Sequence, residues 1–188
     1  FDNFTSNFSF NGSAAQDLIQ GTAVLTPNTT NQTGSVFYKT PLEVTVFTAS
    51  FDFFAGSKNG GDGLTFAVID SAFKDYTSLG QGGAGLGYQN LNGFAVEFDT
   101  AFNSLYDING NHLGFDLNGS VASAYLTTGI PVLENNAVHH AQINFNNGAF
   151  SVYIDYSVTP INYTMPSFTP FDGYFGFTAA TRGTTIYN

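Results

Sequence analysis

Apolar residues along this chain recur at every second position rather than at every third or fourth. The runs Glu43-Val-Thr-Val-Phe-Thr-Ala-Ser-Phe-Asp-Phe-Phe54 and Ala149-Phe-Ser-Val-Tyr-Ile-Asp-Tyr156 show this most clearly. An extended strand turns such alternation into one apolar and one polar face. Further strands are predicted over Leu64 to Ile69, Gly93 to Asp99, His112 to Leu117, His140 to Phe145 and Gly173 to Ala179, with Asn3 to Phe10 as an edge strand. Turn clusters such as Asn59-Gly-Gly-Asp-Gly63 and Asn146-Asn-Gly148 separate them. No stretch reads as a long helix; Ala72 to Tyr76 suffices for one turn, and Gly80 to Gly87 reads as a loop. Many short strands with glycine-rich turns predict an all-β fold, an antiparallel two-sheet sandwich forming one domain over residues 1–188.

Composition fits one core: 188 residues, 43% apolar, with 21 Phe and 10 Tyr. Charge narrows the partners. Only Lys39, Lys58, Lys74 and Arg182 are basic against 14 acidic residues, and a net charge of -10 offers nothing to neutralise a run of phosphates. Nucleic acid and anionic membrane surfaces are thereby excluded as partners, and no apolar run of about 18 residues supports membrane insertion. Absence of cysteine excludes disulfides, thiolate metal sites and cysteine nucleophiles. The Asn-x-Ser/Thr acceptor pattern occurs at Asn3, Asn7, Asn11, Asn28, Asn31, Asn118 and Asn162, which points to a secreted or cell-surface glycoprotein. An Asn- and Thr-rich composition producing such triplets by accident is the competing explanation. The first residue, Phe1, suggests a processed amino terminus or a fragment.

The segment that carries chemistry is Val96-Glu-Phe-Asp-Thr-Ala-Phe-Asn-Ser-Leu-Tyr-Asp-Ile-Asn-Gly-Asn-His112. Strand alternation puts Glu97 and Asp99 on one face and Phe98 on the other. Two adjacent carboxylates repel, and with so few cations in the chain a bound metal is the natural compensating charge. Asn103, Asp107 and His112 follow on a loop able to fold back over that face. Oxygen donors suit Ca²⁺, and carboxylates with one imidazole suit a transition metal such as Mn²⁺. The plainer alternative is a set of solvated loop acids.

Four stretches, in order, resemble the L-type (legume-type) lectins, above all the lectin domains of plant receptor kinases and their bacterial relatives. These are Gly61-Asp-Gly-Leu-Thr-Phe-Ala67, the loop ending Gly85-Leu-Gly87, Phe94-Ala-Val-Glu-Phe-Asp-Thr100 through Asn111-His-Leu-Gly-Phe-Asp116, and Phe175-Gly-Phe-Thr-Ala-Ala180. Phe8-Ser-Phe10 and Gly21-Thr-Ala-Val-Leu-Thr-Pro27 extend the likeness over nearly the whole chain. The resemblance implies a jelly-roll sandwich, cell-adhesion or recognition functions, and glycan binding that depends on metal.

Carried over by position, the resemblance implies a Mn²⁺-type site from Glu97, Asp99, Asp107 and His112. It implies a Ca²⁺ site from Asp99, Asn103, Asp107 and the Ala101 carbonyl, and a cis peptide at Gly61-Asp62. The sugar would be held by Asp62, Asn103 and a backbone N–H of Gly83 or Ala84, with Gly183 and Thr184 of the Thr181 to Thr185 loop tuning specificity. Ala101 stands where the family commonly has an aromatic residue, so ring stacking falls to Phe102 or Tyr106. Ala84 stands where the family has glycine. The resemblance also implies one more strand after the Thr181 to Thr185 loop. Its absence by Asn188 would leave an edge open to a donated strand and to a homo-oligomer or fibre.

A glycoside hydrolase of the jelly-roll type would carry Glu-x-Asp-x-x-Glu, supplying nucleophile and acid. Phe102 occupies the second glutamate's position, and no Gly-x-Ser-x-Gly elbow exists, so the domain reads as non-enzymatic. His139 and His140 are adjacent strand residues, so one is expected packed and one exposed. Asp52, Asp70, Asp75, Glu134, Asp155 and Asp172 read as solvated acids.

Overall fold

A computed structural model describes residues 4–56 and 61–183. A four-residue helix, α1 (Phe4–Asn7), leads into β1 (Phe8–Gly12), where the sequence predicted strand throughout. The chain continues as β2 (Ala15–Asp17), β3 (Thr22–Val24), β4 (Thr33–Tyr38), β5 (Leu42–Val44), β6 (Val46–Phe53), β7 (Asp62–Asp70), β8 (Gly93–Asp99), β9 (His112–Leu117), β10 (Tyr125–Thr127), β11 (His139–Asn146), β12 (Ala149–Ile154), β13 (Ile161–Thr164) and β14 (Phe171–Thr181). The larger sheet runs β1-β4-β14-β7-β8-β9-β10, with β5 also pairing β14; the smaller runs β13-β12-β11-β6; β2 and β3 form a hairpin. All pairings within the two sheets are antiparallel, giving the expected two-sheet sandwich. The further strand expected past Thr181 to Thr185 falls outside the described residues, as do Asn3 and Thr184.

The predicted run Glu43 to Phe54 serves both sheets. Val44, fully buried, belongs to β5 and pairs with Phe171 of β14. From Val46 onward β6 pairs with β11, so the chain changes sheets at Thr45. Strand β12 stops at Ile154 because Asp155 and Tyr156 adopt the left-handed conformation, with φ of 51° and 58°. His139 is 2% exposed and His140 20%, each on its own face.

Phenylalanines fill the space between the sheets. Phe94 of β8 lies 5.1 Å from Phe145 and 5.3 Å from Phe150 of the opposite sheet, and Phe98 lies 4.9 Å from Phe53. Offset and edge-on ring contacts of this kind add to the free energy of burial. The other face of the large sheet is covered too. Phe37, Ala67, Ile69 and Ala95 pack there against the loop residues Tyr88, Leu91 and Val121. Strands β4, β7, β8 and β9 are therefore buried on both faces over most of their length, which explains why Gly34-Ser-Val-Phe37 lacks alternation and escapes a periodicity reading.

This packing predicts that Phe94→Ala, which empties a fully enclosed ring site at the sheet interface, lowers stability by about 3–5 kcal/mol. Equilibrium denaturation measures it; a loss under about 1 kcal/mol would contradict the packing.

Candidate functional site

Cross-strand register assembles the site at one end of the central strands of the large sheet. Asp99, the last residue of β8, faces His112, the first of β9, and Glu97 faces Gly114. Gly63 of β7 faces Asp99 on the other side, while Asp62 faces Thr181 at the end of β14. Four loops thus meet where these strands begin and end.

The expected metal ligands converge. Glu97, Asp99, Asp107 and His112 each present a ligand atom within 4.8 Å of the others. His112 Nδ1 lies 2.9 Å from the Asn109 carbonyl, which can only accept, so the proton sits on Nδ1 and Nε2 keeps its lone pair. That Nε2 is buried without a hydrogen-bond partner, 3.9 Å from Glu97 Oε1. An orphaned imidazole nitrogen among three carboxylates fits a divalent cation and little else. Asn103 joins from the loop: its backbone N–H donates to Asp107 Oδ2, and its side-chain Nδ2 lies 3.3 Å from the Ala101 carbonyl. Asp99 Oδ1 accepts from the Ala101 N–H at 2.8 Å.

Burial dominates the electrostatics of the cluster. Burial, then Asp116 and Asp99, hold the Glu97 carboxyl well above its usual range. Burial, then Asp107, raises Asp99 to about 8. Burial raises Asp116 to about 6, and Asp62 and Asp107 are also raised chiefly by burial. His112 is lowered by burial, which keeps it neutral and able to bind metal.

Sequence reasoning missed Asp116 and Ser123. The Ser123 hydroxyl lies 2.6 Å from Asp116 Oδ1 and 3.2 Å from Glu97 Oε2, bridging the two acids. Asp116 is fully buried with Oδ2 unpartnered. Alternation from His112 through Gly114 puts Asp116 on the ligand face, a signal that was available; Ser123 arrives from a loop and left none. A Cβ at position 114 would sit 2.3 Å from Ser123 Oγ and 3.1 Å from Glu97 Oε2, so a side chain there would displace the bridging hydroxyl.

The expected sugar-binding residues meet beside this cluster. The Gly61-Asp62 peptide is cis. Asp62, 2% exposed, accepts from Asn103 Nδ2 at 3.4 Å through Oδ1, while its buried Oδ2 has no hydrogen-bond partner. Gly83 and Ala84 open a 3-10 turn, Gly83–Gly85, and their N–H groups find no acceptor among the described residues. Gly83 adopts φ +58°, and a Cβ on it would lie 3.9 Å from Asp62 Oδ2, so this turn abuts the aspartate. Of the two stacking candidates, Phe102 is 52% exposed, whereas Tyr106 packs against the second core cluster. Gly183 is exposed on the fourth loop.

Two further residues belong here. Arg182 donates from Nη2 to the Phe102 carbonyl at 2.8 Å, and its Nε lies 3.7 Å from Asp62 Oδ1. Its backbone N–H donates to Gly61 and its carbonyl accepts from Asn31, so it ties three loops. Glu134 is a correction: read as solvated, it is 8% exposed and accepts from the Gly61 N–H. Both line a cavity of about 260 Å³ together with Thr100, Ala101, Phe102 and Val132.

Residues 1–187 match the legume lectin domain family. The L-type lectin-domain containing receptor kinase VIII.1 of Arabidopsis thaliana is 31% identical over 182 residues, covering 81% of this chain and 25% of its own length. The chain therefore spans about a quarter of that receptor kinase. Peanut lectin superposes with a TM-score of 0.79 at 26% identity, covering 95% of this chain and 85% of that one. The exoplasmic/lumenal domain of VIP36, in a Ca²⁺/Man-bound form, superposes with a TM-score of 0.73 at 18% identity, covering 93% and 76%. The chain belongs to the legume lectin domain family, a family of carbohydrate-binding and non-enzymatic domains.

Proposed function

We propose that this domain binds a glycan through one pyranose held by Asp62, Asn103 and the N–H of Gly83 or Ala84, with Phe102 against the ring. The observation that carries this reading is the buried, unpartnered Asp62 Oδ2 beside a turn whose N–H donors are also unspent. Polar groups left this way inside a folded protein cost free energy unless a ligand completes their hydrogen bonds. A pyranose offers adjacent hydroxyls that both donate and accept, and an apolar C–H face for Phe102.

The ligand cluster supports Ca²⁺ at Asp99, Asn103, Asp107 and the Ala101 carbonyl, and Mn²⁺ at Glu97, Asp99, Asp107 and His112. Such ions, when bound, neutralise the carboxylates and hold the Asn103 loop in place. The acceptor triplets support a secreted or cell-surface location, in keeping with the exoplasmic/lumenal character of the VIP36 domain. A second reading, assembly of copies by strand addition, draws on β6, an eight-residue edge strand with Val46 63% exposed. A mass in solution that stays monomeric with rising concentration would remove it.

On the principal reading, a glycan array shows binding that EDTA abolishes and that Asp62→Ala or Asn103→Ala reduces at least a hundredfold, about 2.7 kcal/mol. Binding retained by both variants would move the site elsewhere.

Metal removal has a pH signature. A carboxyl whose folded-state pKa is raised binds its proton more tightly in the folded chain; its contribution is fully present below the unfolded value and lost as pH rises through the folded one. With Asp116 at about 6 and Asp99 at about 8 against an ordinary 3.8, the melting temperature of EDTA-stripped protein falls between about pH 4 and pH 8. Saturating Ca²⁺ and Mn²⁺ abolish that fall. A stripped protein that gains stability with pH over this window would contradict the burial of these acids.

A further inference from the structure

Seven triplets in the sequence satisfy the acceptor pattern equally, but the fold does not treat their asparagines equally. Asn11 of β1 spends its side-chain nitrogen twice. Nδ2 donates to Ser35 Oγ on β4 and to the Tyr76 carbonyl, both at 3.0 Å, while Oδ1 accepts from Ser9 Oγ. The residue is half-buried and joins β1, β4 and the loop after β7. Its own triplet partner is also engaged, since Ser13 Oγ donates to the Leu25 carbonyl.

Asn162 shows the opposite arrangement. It is exposed on the outward face of β13, the edge strand of the small sheet, directly across from Ser151. Its Oδ1 accepts from Ser151 Oγ at 2.7 Å, and its Nδ2 has no partner. The serine therefore fixes the carboxamide with its nitrogen free. Thr164, two residues on, is exposed on the same face. Asn118 is likewise exposed, with φ +55° at the turn leaving β9, and only its backbone N–H is bonded, to the Gly93 carbonyl.

The structure assigns Asn162 and Asn118 as N-glycan acceptors and Asn11 as a structural asparagine that stays unmodified. In the modification, the amide nitrogen forms a bond to C1 of an oligosaccharide carried on a lipid pyrophosphate. The C1–O bond to the pyrophosphate breaks, the lipid pyrophosphate leaves, and one amide proton is released. A modified nitrogen keeps one hydrogen. At Asn162 and Asn118 that suffices, because neither nitrogen is used by the fold. At Asn11 one of two half-buried hydrogen bonds would be lost and the sugar would be driven between β1 and the Tyr76 loop, so a chain modified there does not complete the fold. A glycan on Asn162 also covers the β13 edge, where an open ladder would otherwise invite another strand.

The test is expression of the whole chain behind a secretion leader in cultured eukaryotic cells, followed by site-by-site glycopeptide mass spectrometry of the secreted, folded protein. Asn118 and Asn162 carry glycan and Asn11 is bare. A glycan on Asn11, or bare Asn118 and Asn162, overturns the assignment. Asn162→Gln removes one glycan's mass and leaves the melting temperature of the enzymatically deglycosylated protein unchanged. Asn11→Gln leaves the glycan mass unchanged and lowers the melting temperature by several degrees. If it is secreted with wild-type stability, Asn11 has no structural role. None of these readouts requires the domain to bind sugar.

Discussion

Five carboxylates brought to one end of a sheet, with one arginine near them, are the constraint around which the rest is arranged. Glu97, Asp99 and Asp116 are at most 2% exposed, and Asp62 is as deeply placed beside them. Mutual repulsion and lost hydration would drive such a set apart or into the protonated state. The chain supplies little charge of its own to offset them, having four basic residues in total. Its acidity is thus local as well as global.

Holding this cluster requires a support that cannot spread. The large sheet provides it by being enclosed on both faces, by the phenylalanine layer toward the small sheet and by Tyr88, Leu91 and Val121 toward the loops. Glycines then admit the close approaches that the cluster needs. Gly114 leaves room for Ser123 and Glu97, and at Gly63 a Cβ would lie 2.5 Å from the Phe98 carbonyl. A side chain at 63 would press on the backbone of β8 beside Asp99, and one at 114 would displace the Ser123 hydroxyl.

Legibility in the sequence followed the same physics. Strands with one wet face, such as β11 and β12, are legible by alternation; β8 and β9 are legible as short apolar runs bounded by turn residues. Strand β4, buried on both sides, and the three-residue strands β2, β3 and β10 carry no period to read. The metal ligands were legible because they lie close together along the chain. Ser123, Arg182 and Glu134 were not, because each comes from a distant loop and acts through a contact that only the fold creates.

That difference bears most on the part of the site that faces a ligand. Ala101 is 3% exposed, and its Cβ lies 2.7 Å from where a Cβ on Gly61 would be. The first and third loops therefore touch through small residues, and no ring can rise from between them. Phe102 is left as the exposed ring, and its carbonyl is held by the arginine that also approaches Asp62. The Phe102 segment and the Asp62 carboxylate are thus tethered to one side chain on the fourth loop. In an arrangement built this way the backbone at Phe102 is held by a charged side chain, so a change at Arg182 alters both the placement of that segment and the charge beside Asp62.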